Sequence, residues 1–182
     1  MNEKERKLLD WRLVTCALKY RAGEPDDIRI KLDNQFLAEF TVNVLERPDY
    51  LVQLAEDAIH DQNEYDLDLV ITLAEHFEIT RYIDEVLASL LIQPWHHFHD
   101  NIARILEFDH NEKTAEYLLQ GATYTCDHLD YESDYCEFSR KCLYALLKIG
   151  TPKTLQYIRD VACCDHPIIA NHAKTLIKKY GL

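Results

Sequence analysis

Glycine and proline are scarce in this chain, four and five among 182 residues. An all-β sandwich of that length needs more turn residues, so the shortage points to helices joined by short loops. Four glycines also leave no room for a phosphate-cradling glycine loop. Neither a His-Glu-x-x-His zinc helix nor a Gly-x-Ser-x-Gly nucleophile turn is present. Nowhere do about 18 uncharged apolar residues run together, which excludes a membrane-spanning helix. Residues 1–7 are charged, and Asp10, Arg12 and Lys19 break the apolar stretch that follows, so no secretory signal is read and a cytoplasmic protein is expected.

Basic residues are short as well: 20 Lys and Arg against 32 Asp and Glu, for a net charge of −12. The deficit is concentrated. Residues 1–22 carry six basic and three acidic groups, residues 139–182 eight and two, and residues 23–138 six and 27, which leaves −21 in the middle. Such a belt repels nucleic acid phosphate and anionic lipid, so neither nucleic acid nor a membrane is expected as a direct partner. It attracts a basic protein surface and speeds encounter with it. The plainer alternative is a solvated acidic surface that keeps the protein soluble.

Hydrophobic residues are plentiful at 47%, enough for a packed core, and they recur at helical spacing. Leu8, Leu9, Trp11, Leu13, Val14, Ala17 and Leu18 outline a first helix, and Leu32, Phe36, Leu37, Phe40, Val42 and Leu45 a second. Pro48 suits the first turn of a third, over Tyr50, Leu51, Leu54, Ala55 and Ile59. Beyond Asn63 the pattern becomes pairwise. Helices are expected from Leu67 to Phe77 and Tyr82 to Leu90, then over 95–108, 113–122, 134–149, 152–163 and 167–180. At the junction after Ile149, Gly150 fits the left-handed position after a helix, Thr151 the next N-cap and Pro152 the first helical position. The six cysteines lack a disulfide framework, since Cys16 and Cys142 sit at apolar helical positions; reduced, mostly buried thiols are expected.

A repeat underlies the pairs. Lys153, Thr154, Tyr157 and Ala162 match Lys113, Thr114, Tyr117 and Ala122 at an offset of 40, and residues 82–86 match 157–161 at an offset of 75. Two-helix periods of about 35 to 40 residues mark α-solenoids. Residues 139–152, with Arg140 and Lys141 opening an apolar helix that ends in Ile149-Gly150-Thr151-Pro152, resemble the HEAT-repeat pattern. Asp165-His166-Pro167 followed by Ala170, Ala173 and Leu176 resembles the start of a capping repeat. The resemblance implies an all-α fold, a right-handed α-α superhelix of about nine or ten antiparallel helices. A single domain over 1–182 is expected, with 1–62 as degenerate N-terminal helices and 64–182 as HEAT-like pairs.

Candidate chemistry is sparse. In the run Trp95-His96-His97-Phe98-His99-Asp100, His96 and Asp100 would share a helix face, yet adjacent imidazoles diverge, and the alternative is a polar helix start facing solvent. Cys126, His128 and Cys136, or Cys163, Cys164 and His166, lack paired C-x₂-C spacing. Neither a metal nor a cofactor is therefore expected. Residues 124–137 are more unusual. They form a long break in the repeat and mix Tyr124, Tyr131 and Tyr135 with Asp127, Asp130, Glu132, Asp134, Glu137 and His128. Tyrosine offers contact area at low entropic cost and carboxylates pair with Arg or Lys, so these nine residues read as a partner-binding loop; the alternative is an N-capping loop with Asp130 or Ser133 as cap.

Small, acidic HEAT-like chains are similar to HEAT-type bacterial immunity proteins. That resemblance implies a non-enzymatic inhibitor of a basic, nuclease-type toxin, with carboxylates standing in for substrate phosphates. A scaffold that binds a basic peptide, or a metal-dependent enzyme built on His96–His99, are the competing classes.

Overall fold

The computed structural model describes residues 1–21, 26–124 and 132–182; for 13–21, 26 and 132–135 it describes helical backbone alone. The fold is all-α. The described residues form ten α-helices and three short 3-10 helices, and contain no strand. Among them, no helix is long and apolar enough to cross a membrane. Two compact units are present, residues 1–82 and 83–182.

The first unit holds α1 (Glu3–Arg21), α2 (Asp26–Glu39), α3 (Pro48–His60) and α4 (Glu64–His76), then a 3-10 turn over Thr80–Tyr82. A capping box starts α1: Asn2 Oδ1 accepts from Glu5 N at 3.0 Å and a Glu5 carboxylate oxygen accepts from Asn2 N at 2.9 Å. Helix α1 packs on α2 and α4, and α3 on α4. Between them Phe36 is fully buried, with its ring 5.0 Å from Phe40 and 5.9 Å from Phe77. The α3–α4 hairpin turns through Gln62 at φ 47°, and Asn63 caps α4 by accepting from Asp66 N at 3.1 Å.

The second unit holds α5 (Asp84–Ala88), a 3-10 turn (Ser89–Ile92), α6 (His99–Asp109), a 3-10 turn (Glu112–Thr114), α7 (Ala115–Thr123), α8 (Glu132–Ile149), α9 (Pro152–Val161) and α10 (Pro167–Tyr180). Helix α8 is the hub, touching α6, α7, α9 and α10, and α7 also touches α9. The junction after Ile149 forms as its residues dictate. Gly150 adopts φ 69°, Thr151 Oγ1 accepts from Thr154 N at 3.3 Å, and Pro152 opens α9. The two lysines that recur at an offset of 40 make equivalent ion pairs: Lys113 with Glu85 at 2.7 Å and Lys153 with Glu116 at 2.7 Å.

Cys142 is fully buried, and burial, reinforced by Asp100, pushes its thiol up and keeps it protonated. Cys136 is buried as well, whereas Cys163 is exposed and Cys164 half-buried; all four are free thiols. Cys163 departs from the expectation of mostly buried cysteines and Cys164 meets it only in part, because α9 ends at Val161 and leaves both in the turn that follows. Cys16 and Cys126 lie outside the described side chains.

Candidate protein-docking surface

Helix α8 begins at Glu132, earlier than the expected start at 134, so the break after α7 is shorter than residues 124–137. Of the nine expected contact residues, Asp127, His128, Asp130 and Tyr131 lie outside the described residues. Glu132, Asp134 and Tyr135 stand in the first turn of α8 with side chains outside the description. Two can be placed. Tyr124 is half-buried, with its ring 6.1 Å from that of His99 in a stacked arrangement. Glu137 is exposed and accepts a hydrogen bond from Arg140.

The histidine run differs from both sequence readings. His96 precedes α6 instead of lying on it, and is fully buried. Its Nε2 sits 3.0 Å from Leu90 O, and its Nδ1 accepts from Phe98 N at 3.1 Å. The accepting Nδ1 places the proton on Nε2, so His96 is a neutral imidazole donating to Leu90 O. His99, 1% exposed, sets its Nε2 2.9 Å from Gln93 O. The two rings stack at 4.3 Å, and Phe138 meets His99 edge-on at 5.6 Å. The two imidazoles thus tie the end of the 3-10 turn: His99 faces Gln93 O, and His96 is a second partner of Leu90 O, which also accepts from Gln93 N at 2.9 Å. Asp100 does not join them but pairs with Lys141. Among the described residues, no three His, Cys, Asp or Glu side chains converge as a ligand set.

Acidic side chains divide into engaged and open ones. In the second unit Glu85, Glu116, Asp100 and Glu137 each pair with a Lys or Arg. Asp84 is buried, accepts from Asn111 Nδ2 at 3.0 Å and from Glu85 N, and is pushed up by burial. The α3–α4 hairpin is different. Residues 48–80 contain nine Asp and Glu and no Lys or Arg. Glu56, Asp57, Asp68 and Glu78 are exposed, and none of the four has a cation partner among the described residues. Tyr65 is 50% exposed beside them, and its hydroxyl donates to Asp10 at 2.5 Å. The hairpin thus joins open carboxylates to a presented tyrosine. The sequence reading sought that combination only in residues 124–137. The signal that locates it here is the absence of Lys and Arg from 33 consecutive residues.

Asp68 registers the excess charge. Partial burial, followed by the like charges of Glu64 and Glu75, holds its carboxyl above the usual value. The folded state therefore keeps this proton more tightly than the unfolded chain. Stability is lost as pH rises from the unfolded pKa through the folded one, and the penalty is complete at neutral pH. Asp68→Asn should raise stability at pH 7 by roughly half a kcal/mol, a small gain because the site is solvated. Urea melts at pH 7 check this, and an unchanged or lower midpoint would show that the hairpin charges are not felt at position 68.

No family model, curated protein or solved structure matches the chain.

Proposed function

We propose that this chain is a non-enzymatic, HEAT-like α-solenoid acting as a bacterial immunity protein that neutralises a basic, nuclease-type toxin in the cytoplasm. The carrying observation is the segment 48–80 around the α3–α4 hairpin, with nine Asp and Glu, no Lys or Arg, and exposed Glu56, Asp57, Asp68 and Glu78 that have no cation partner among the described residues. Carboxylates held open in this way offer a basic nuclease cleft the charge pattern of its own substrate. Residues 124–137 supply a second contact in this reading, through Tyr124, Asp127, His128, Asp130, Tyr131, Glu132, Asp134, Tyr135 and Glu137. Two features support the solenoid. The recurring lysines tie α5 to the turn before α7, and α7 to α9, while α6 and α10 both line α8. Buried histidines held by backbone carbonyls, and carboxylates held by lysines, suit a scaffold better than a reaction centre.

The test is coexpression with the product of the gene immediately upstream. The native chain should restore growth. Glu56→Gln/Asp57→Asn/Asp68→Asn/Glu78→Gln should slow association with that product by roughly 10²-fold at low salt and abolish protection. Asp130→Asn/Glu132→Gln/Asp134→Asn tests the second contact separately. Protection and association rates unchanged in both variants would overturn the reading.

A further inference from the structure

We draw no further inference here: the strongest candidate, the exposed lysine patch at the C-terminal ends of α8 and α10 (Lys148, Lys178 and Lys179), is accounted for by the negative helix ends that these lysines offset, and nothing in the structure shows what covers it.

Discussion

Phe138→Ala should destabilise the 83–182 unit by about 3–5 kcal/mol. The ring is fully buried where α6, α7 and α8 meet, and it touches His99 edge-on at 5.6 Å. Its tip also lies against Gly121: a Cβ built there would stand 3.2 Å from Phe138 Cζ and 3.0 Å from Cys142 Sγ. Gly121 therefore lets α7 approach α8 closely, and Phe138 occupies the resulting junction. Removing the ring takes away both burial and the edge contact with His99. Phe138→Leu should cost far less, under about 2 kcal/mol, because most of the volume remains. Urea melts, with hydrogen exchange read on α7 and α8, measure both. A loss below about 1 kcal/mol for the alanine variant would mean that the junction collapses around the gap.

How far these features were legible depends on how local their causes are. The turn through Gly150, Thr151 and Pro152 and the start of α3 at Pro48 are written in adjacent residues, and the structure places both as their chemistry requires. The all-α class follows from the same local signals. The histidine run was not legible, because the acceptors for His96 and His99 are the backbone carbonyls of Leu90 and Gln93, brought to the rings only by where the preceding 3-10 turn stops. No helical-face count contains that information. Expected helix pairs near residue 82 were also too regular, since Asp84–Ala88 is one short helix that tightens directly into 3-10 geometry.

The charge reading was legible in total and illegible in detail. A net −21 over residues 23–138 says nothing about which carboxylates are consumed within the fold. Glu85 is matched by Lys113, 28 positions on, and Glu116 by Lys153, 37 positions on. Only the tertiary structure pairs them. Residues 48–80 supply no Lys or Arg of their own. Among the described residues, Asp49 and Asp66 are met by an arginine, Arg47 and Arg6, while Glu56, Asp57, Asp68 and Glu78 have no cation partner. That gap was visible in the sequence but was averaged into a belt.

Two hairpin acids are paired with arginines from outside residues 48–80, the exposed Asp49 with Arg47 and the buried Asp66 with Arg6, and breaking the buried pair should have a large electrostatic effect. Arg6 donates to both oxygens of Asp66 as a fork, at 2.6 and 2.7 Å, and the Asp66 side chain is 4% exposed. The Arg6 hydrogen bonds hold this carboxyl below its usual value against the opposing effect of burial. Its stabilising contribution is therefore present above the unfolded pKa and is lost as pH falls through the folded one. Arg6→Met leaves the carboxylate buried without its guanidinium and should cost about 3 kcal/mol at pH 7. The pH dependence should weaken as well: with Arg6 gone, only the N-terminal ammonium, 3.5 Å from Asp66, opposes burial, so less stability is lost as pH falls toward 4. Arg6→Met/Asp66→Leu should recover most of the loss, because the cost belongs to the stranded charge more than to the missing pair. Urea melts from pH 4 to 7 on the native, single and double variants separate these terms. Equal losses in the single and double variants, with no change of slope, would mean that water already reaches Asp66. The same comparison bears on the docking surface, since an acid neutralised within the fold adds nothing to the field that Glu56, Asp57, Asp68 and Glu78 present.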